Sequence, residues 1–363
     1  MDDQTHLPAA ASRHALALLR FPDPRTDWVV VTVATLERPL DGLEARLDTL
    51  HRATPIVGAR LRDETWHPGE PPTITTVDGD PLGHRELDRP FRLEAEAPLR
   101  LVRSDDGLRL AVVGHHAAFD GLALVAILRA LTAGEMPEPV ASPPPGVAGS
   151  KLPLLQRLAQ PADRVAPTPG VWPGDAYGTQ AVSVSGKGIT GQLAEACVAA
   201  VAAHNARHHE RLRKVGLTVA IGGPAGVGNV ASYRRIDVRR DDPIGARVQE
   251  ALASPEEPGE QVSAPKALMK LLEPVVERFS DTILLSNLGR HRVPGVERLD
   301  FFPVARGRSA VCFASAAIEG GETTLTLRAR DLSPADGRRL LAEACDHLAS
   351  VDGAPDHQAR TPR

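Results

Sequence analysis

The chain has 363 residues, of which 42% are apolar and 3% aromatic, enough for two α/β domains or one large domain with an aliphatic core. Its formal net charge of −4 and pI near 6.4 provide no basic field for nucleic acid or anionic lipid. The three widely spaced cysteines form no zinc pattern and indicate a reduced, cytoplasmic setting. The acidic N-terminus predicts no signal peptide, and no apolar run predicts a membrane span.

The first part of the chain alternates strand and helix patterns. Residues 28–36 are rich in Val and Thr and predict a strand, and residues 39–51 carry leucines at i, i+4 and i+7, as in an amphipathic helix. Residues 55–61 predict a second strand. Two apolar runs around an Asp-Asp-Gly turn predict a hairpin over residues 101–113. An apolar helical pattern then covers residues 122–131.

The middle of the chain is proline-rich. Prolines recur between residues 137 and 173, which excludes a regular helix or a central strand there, apart from a short helix near 152–158. We therefore predict an N-terminal lobe over residues 1–136, a connector over 137–186 and a C-terminal lobe over 187–363.

The C-terminal part repeats the alternation. Its predicted helices cover residues 190–201, 243–252 and 266–279, with a last helix that Ser333-Pro334 opens. Its predicted strands cover residues 217–221 and 282–285 and a hairpin over 309–318 and 322–329. Because both halves mix helices with hairpins, we predict a mixed α/β fold with partly antiparallel sheets.

One segment combines residue types suited to acid–base chemistry, namely His115-His116-Ala117-Ala118-Phe119-Asp120-Gly121, between an apolar strand and an apolar helix. Histidine can remove a proton from a nucleophile and return it to a leaving group near neutral pH. Neighbouring residues of a strand point to opposite sides, so only one histidine readily faces a given cavity. Asp120 can bind backbone or an arginine, and Gly121 permits a close approach.

The pattern His-His-x-x-x-Asp-Gly resembles the catalytic motif of the chloramphenicol-acetyltransferase-like superfamily, which includes nonribosomal peptide condensation domains and wax-ester-type acyltransferases. The resemblance implies two similar lobes in a V with a tunnel between them. It also implies that His116 is the general base or positioning residue and that Asp120 is structural and pairs with an arginine, for which Arg60, Arg62 and Arg290 are candidates. His115 and Gly121 would support the loop.

Two further segments are similar to family elements. Ser286-Asn287-Leu288-Gly289 follows an apolar strand, as the Ser-Asn-x-Gly element of the family does, and Gly228-Asn229 resembles its Gly-Asn pair. We expect Ser286 to donate a hydrogen bond to an oxyanion, or Asn287 to orient the loop. A plain turn after a strand is the alternative.

Other candidate sites are weaker. His204 and His208 have the i, i+4 spacing that can hold a metal, but their polar neighbours favour a solvated helix end, and we predict no metal. The glycine-rich residues 222–228 lack the Lys-Ser/Thr of a phosphate loop and predict a connecting loop. No Gly-x-Ser-x-Gly elbow of a serine hydrolase occurs.

The sequence thus predicts a cytoplasmic acyltransferase that moves an acyl group from a thioester to an amine or hydroxyl. The resemblance implies coenzyme A or a phosphopantetheinyl carrier protein as donor, a small-molecule acceptor, no other cofactor, and a place in specialised-metabolite synthesis. The alternatives are a non-catalytic relative that binds a carrier protein or acyl ligand, and a relative that uses the same pocket for cyclisation or elimination.

Overall fold

The computed structural model describes residues 7–20, 26–140, 159–172, 174–184, 188–254, 281–305 and 310–352. The predicted helices near 152–158 and 266–279 lie outside these residues. The described helices are α1 (Arg13–Leu19), α2 (Leu43–Ala53), α3 (Gly121–Ala133), α4 (Ile189–Arg207), α5 (Ile244–Ala253) and α6 (Pro334–Asp352). The described strands are β1 (Ala9–Ala10), β2 (Val29–Leu36), β3 (Arg60–Arg62), β4 (Thr65–His67), β5 (Thr73–Val77), β6 (Leu99–Ser104), β7 (Arg109–His115), β8 (Ala176–Val182), β9 (Lys214–Ile221), β10 (Ser232–Arg239), β11 (Ile283–His291), β12 (Val296–Phe302), β13 (Val311–Ile318) and β14 (Thr323–Ala329).

A five-stranded sheet of order β12-β2-β7-β6-β5 forms the N-terminal lobe. The β-branched residues of β2 and the apolar residues of β7 are almost all buried, as expected for inner strands covered on both faces. Helix α2 presents Leu43, Leu47 and Leu50 to the core, and α3 is apolar nearly all round and buried. The sheet therefore places the end of β7 in the interior of the lobe.

A six-stranded sheet of order β10-β9-β11-β13-β14-β8 forms the C-terminal lobe. Its inner pairs β9–β11 and β11–β13 are parallel, while the outer pairs are antiparallel. Helices α4, α5 and α6 contribute Leu193, Val248 and Leu340 to the apolar core of this lobe. The prediction of a mixed α/β fold with partly antiparallel sheets is confirmed.

Strand β12 joins the two lobes. It lies late in the chain between two strands of the C-terminal sheet, yet it pairs antiparallel with β2 in the N-terminal sheet. Its Leu299 and Phe301 are buried in the same core as Ile127 of α3. Strand β8 lies inside the expected connector and is an edge strand of the C-terminal sheet. The lobe boundaries at residues 136 and 186 stay a prediction.

Most elements match the sequence patterns, with differences at turns and edges. The predicted strand over residues 55–61 is wrong for its first part, because Pro55 opens a short 3-10 helix, Pro55–Gly58, before β3. The elements without a counterpart among the predicted ones are helix α1 and strands β1, β4, β5, β8, β10 and β12. None of the helices in the described ranges combines the length and apolar character needed to cross a bilayer.

Candidate active site

The His-His-x-x-x-Asp-Gly segment begins where the central strand of the N-terminal sheet ends. His115 is the last residue of β7 and pairs with Val29 of β2, and the amide of His116 donates to the Trp28 carbonyl at 2.6 Å. Both histidine side chains are buried. The ring of His115 meets the Phe91 ring edge-on, whereas the ring of His116 stacks on Trp28. The two histidines thus have separate surroundings, as the strand alternation predicts.

The hydrogen bonds of His116 define its tautomer. Nδ1 lies 2.9 Å from the Phe119 carbonyl oxygen, which can only accept, so Nδ1 carries the proton in the neutral ring. Nε2 therefore presents its lone pair, and the hydroxyl of Tyr233 forms a short hydrogen bond to it. A neutral imidazole whose Nε2 faces a hydroxyl is the arrangement that general-base catalysis requires.

Asp120 anchors the loop through backbone amides. Its Oδ1 accepts from the amide of Ala123 at 2.9 Å, which caps α3, and its Oδ2 accepts from the amide of Val230 at 3.0 Å. Burial, only partly offset by these bonds, raises the pKa of Asp120. The expected arginine partner is not found among the described residues, because amides of α3 and of the loop after β9 take its place.

The glycine-rich residues 222–228 are a connecting loop, as predicted, between β9 and β10. This loop crosses from the C-terminal lobe onto the motif, where the Gly228 carbonyl accepts from the amide of Asp120 at 3.2 Å. The amide group of Asn229 donates a short hydrogen bond to the carbonyl of His116. The Gly-Asn pair noted in the sequence therefore contacts the motif directly.

Two residues at this site were not among the sequence candidates. Tyr233 is one of only two tyrosines and lies on β10, where no strand was expected. His14 lies on α1, where burial and then the charge of His116 lower its pKa to about 4. Neither has a motif around it, so only the folded chain brings them to His116.

Burial governs the other histidine of the pair. His115 accepts a hydrogen bond at Nδ1 from the amide of Ala117 at 3.1 Å, and it packs beside Phe91 and Arg100. Burial, and then the charges of His116 and Arg100, lower the pKa of His115 to about 3. A neutral, buried ring that binds its own loop is suited to support the loop.

The lowered pKa values predict acid sensitivity. The unfolded chain protonates His14 and His115 near the ordinary value of about 6.5, whereas the folded chain does so only near pH 4 and pH 3. Stability is therefore complete above about pH 6.5 and is lost as pH falls toward 4, by about 1.4 kcal/mol per pH unit for each histidine. In urea titrations from pH 7 to 4, we expect His115→Asn to reduce the dependence of the unfolding free energy on pH by about 1.4 kcal/mol per pH unit, the contribution of one histidine. An unchanged slope would contradict the assignment.

Gly121 allows two lobes to meet. It is the first residue of α3, and a Cβ placed on it would lie 2.7 Å from Cζ of Phe301 on β12 and 2.8 Å from Cδ2 of Leu288 on β11. Real Cβ atoms do not approach so closely. A Cβ at this position would therefore force the Phe301 ring or the Leu288 side chain to move, because strands of the C-terminal half pack on the start of α3.

We expect Gly121→Ala to lower the free energy of unfolding by about 1–3 kcal/mol, since the methyl group overpacks this contact. The measurement is urea denaturation of the variant and the wild type. In a double-mutant cycle, Leu288→Ala should recover part of the loss because it removes one of the two clashing side chains. Full additivity of the two changes would show that the contact is not the cause.

The Ser-Asn-x-Gly segment lies within β11, in the C-terminal sheet. Ser286 is buried, and the Oδ1 of Asn287 accepts from Ser315 at 2.9 Å and from the amide of Gly289 at 3.0 Å. Its Nδ2 donates to Thr190 at 3.1 Å. These bonds are those of a residue that orients the strand end, whereas an oxyanion-binding role for Ser286 stays a prediction.

The expected inter-lobe tunnel also stays a prediction. His116 is only 4% exposed in this structure, with Tyr233 over its Nε2. A groove of about 230 Å³ lies elsewhere, between the start of α2 and the β6–β7 turn, and residues such as Leu40, Arg103 and Asp106 line it.

The His204 segment departs from its expected setting. His204 is fully buried rather than part of a solvated helix end, because α6 and residues 164–168 pack against this part of α4. Side-chain ligand atoms of His204, His208 and Asp336 lie within 4.8 Å of one another. These residues form a second titratable cluster, on elements other than the His115–Gly121 segment.

Solved structures show what this architecture is similar to. The chain matches the condensation domain of the Monacolin K polyketide synthase MokA with a TM-score of 0.60 and 13% identity, over 96% of this chain and 97% of that one. The chain has the condensation-domain fold. This is the fold that the resemblance of its motif implied.

Two other proteins with the condensation-domain fold differ in their named reactions. The epimerization domain from the third module of tyrocidine synthetase B matches with a TM-score of 0.58 and 14% identity over 96% of this chain and 97% of that one. The wax ester synthase/diacylglycerol acyltransferase from Marinobacter aquaeolei VT8 matches with a TM-score of 0.61 and 15% identity, over 94% of this chain and 98% of that one. No family model and no curated protein matches the sequence. The reaction must therefore be argued from the site.

Proposed function

We propose that this chain is an acyltransferase that moves an acyl group from a thioester to an amine or hydroxyl, with His116 as the general base. The observation that carries the proposal is the bonding of the His116 ring. The Phe119 carbonyl accepts a hydrogen bond from the N–H at Nδ1, which leaves the Nε2 lone pair toward the hydroxyl of Tyr233. The Tyr233 hydroxyl thus occupies the position in which the hydroxyl or amine of the acyl acceptor would donate its proton to Nε2.

The chemistry needs one proton acceptor that later becomes a donor. Nε2 of His116 takes the proton from the acceptor as its oxygen or nitrogen attacks the thioester carbonyl. The tetrahedral intermediate collapses, the carbon–sulfur bond breaks, and the thiolate takes that proton from Nε2. The products are one ester or amide and one free thiol, so no redox step or water is involved.

The neighbouring residues have supporting roles in this proposal. His115, Asp120 and Gly121 hold the loop, the helix cap and the lobe contact that fix His116. The hydroxyl of Ser286 would stabilise the oxyanion, while Asn287 orients the end of β11. An acceptor reaches Nε2 by displacing the Tyr233 hydroxyl.

The donor is a coenzyme A or carrier-protein thioester, as the motif resemblance implies, and the product is a specialised metabolite or lipid. Carrier-protein docking would make that protein the partner. We place the activity in the cytoplasm, because the described cysteines Cys197, Cys312 and Cys345 are all free thiols, typical of a reducing compartment.

The full chain should be incubated with straight-chain acyl-coenzyme A thioesters and with the same acyl groups on a phosphopantetheinylated carrier protein. Amino acids and primary alcohols serve as acceptors. We expect a product whose mass equals acyl group plus acceptor, formed with one equivalent of free thiol. Reactions without acceptor measure background hydrolysis and are the control.

Three outcomes would contradict the proposal. Thiol release that never exceeds the rate without protein would favour the non-catalytic, ligand-binding alternative. A product that contains the donor's atoms alone, with no acceptor, would show cyclisation or elimination in the same pocket. Release of the free acid would show a hydrolase.

A further inference from the structure

A cluster of metal-ligating side chains lies between α4, α6 and residues 164–168, and the proposed transfer reaction does not use it. His204 lies in the last turn of α4 and His208 caps its end. Asp336 lies in the first turn of α6. One ligand atom from each lies within 4.8 Å of the other two. The i, i+4 spacing places both imidazoles on one face of the helix, opposite the carboxylate.

His204 carries a buried lone pair with no partner among the described residues. Its Nε2 lies 2.8 Å from the carbonyl oxygen of Ala166, so Nε2 holds the proton and Nδ1 is the acceptor. Nδ1 is buried and accepts no hydrogen bond from the described chain. A buried acceptor without a partner disfavours folding unless something binds it. A histidine that donates one ring N–H to a backbone carbonyl is oriented as metal-ligating histidines are.

Asp336 brings a carboxylate to this cluster, with an oxygen within 4.8 Å of a ring nitrogen of His204. Its Oδ2 accepts from the hydroxyls of Thr168 at 2.5 Å and Ser333 at 3.2 Å, and Nε2 of His208 lies 3.7 Å away. These two hydroxyls hold the carboxylate in place.

The charged side chain beside the cluster does not oppose the binding of a cation. Arg207 is a cationic group that acts on His204, and it forms an ion pair with Glu343 at 2.5 Å. The rings of His204 and His208 lie 4.5 Å apart between centroids. Ligands of a tetrahedral zinc ion lie roughly 3.3 Å from one another, given metal–ligand bonds of about 2.0–2.1 Å. The three ligand atoms here lie within 4.8 Å of one another, and a movement of partly exposed His208 at the helix end would bring them to the zinc separation.

We propose that His204, His208 and Asp336 bind one divalent transition-metal ion, with Zn²⁺ the ion that this ligand set favours. Two imidazole nitrogens and one carboxylate suit Zn²⁺ rather than Mg²⁺ or Ca²⁺, which prefer oxygen ligands. The ion joins the end of α4 to the start of α6. It stabilises the C-terminal lobe and does not depend on the reaction at His116.

The test uses the untagged full chain, stripped with a chelator and titrated with ZnCl₂. We expect one equivalent to bind with micromolar or tighter affinity and to raise the Tm by ~5 °C at a hundredfold excess over Kd. Asp336→Asn and His208→Ala should weaken binding at least about 100-fold. His209→Asn is the matched control, because His209 is exposed and its left-handed φ of +60° suits asparagine.

The variants also keep the proposal falsifiable if one of them folds poorly. Co²⁺ in place of Zn²⁺ should give the visible absorption of a low-symmetry site in the wild type and in His209→Asn, and not in Asp336→Asn. Zinc binding that is unchanged in both cluster variants, or that His209→Asn weakens equally, would overturn the proposal. So would the absence of any binding below millimolar zinc.

Discussion

Replacing His116 by alanine is expected to lower the rate of acyl transfer by about 10²- to 10⁴-fold, the usual contribution of a positioned general base. The physical reason is the loss of the Nε2 lone pair, which the bond from Nδ1 to the Phe119 carbonyl directs at the incoming hydroxyl or amine. The decrease should appear in kcat rather than in KM, because the imidazole accepts a proton in the transition state and does not bind the donor.

The measurement is product formation by mass spectrometry under saturating donor and acceptor. The control is His347→Ala, which removes an exposed histidine on α6 outside the site and should leave the rate unchanged. The circular dichroism of both variants should match that of the wild type. A His116→Ala rate within about threefold of the wild type would show that His116 is not the base.

Replacing Arg328 by methionine is expected to lower the free energy of unfolding by about 3–5 kcal/mol, as when one partner of a buried ion pair is removed. Arg328 lies on β14 with a side chain that is only 2% exposed. Its Nε donates to Oδ2 of Asp175 at 2.7 Å, and its Nη1 donates to the carbonyl of Val29 at 2.6 Å. Methionine fills similar space but leaves these acceptors buried and unpaired.

The position of Arg328 explains the size of this effect. The guanidinium joins the C-terminal sheet to β2 of the N-terminal sheet, and its Nη2 lies 3.4 Å from Oδ1 of Asp88. Burial lowers the pKa of Arg328, but Tyr177, Asp175 and Asp88 more than offset it, so this pKa is raised overall. Burial raises the pKa of Asp175, but Arg328 and Arg330 more than offset it, so this pKa is lowered. The charges therefore stabilise one another only while all of them are present.

Urea denaturation at pH 7.5 measures the loss. Arg247→Met is the control, because Arg247 forms an exposed i, i+3 pair with Glu250 that is expected to contribute less than about 1 kcal/mol. Adding Asp175→Asn to Arg328→Met should recover part of the stability, since it removes the buried carboxylate that has lost its Arg328 partner. Equal losses for Arg328→Met and Arg247→Met would contradict the role assigned to the buried network.

Local sequence patterns were enough to predict the elements whose apolar face is formed by residues close together in the sequence. Strand β2, helix α2 and the β6–β7 and β13–β14 hairpins form where period-2 and period-3.6 patterns and turn residues predict them. The His115–Gly121 junction was visible for the same reason, since its strand, loop and helix are contiguous. The sequence was misleading near Pro55, where a β-branched run follows a helix end closely and continues as a 3-10 turn.

Long-range contacts decided the rest of the site. Tyr233 reaches Nε2 of His116 across 117 positions of sequence, and the amide of Val230 replaces the arginine expected at Asp120 across 110. No pattern of neighbouring residues encodes such pairs. Strand β12 is a similar case, because its partner β2 lies more than 250 residues earlier, a separation that follows from Val296 pairing with Leu36.

The sequence by itself determined which residues could do chemistry and where the strand that carries them ends. Hydrophobic periodicity and residue type are local properties, and they sufficed for the mixed α/β architecture and for the pair His115-His116 as candidate bases. The resemblance of the motif then favoured His116. Only the tertiary structure decided which ring nitrogen of His116 carries the proton, which group faces the other nitrogen and how β12 and Arg328 join the lobes. Those outcomes depend on burial and on hydrogen-bond partners that meet only when distant segments pack together.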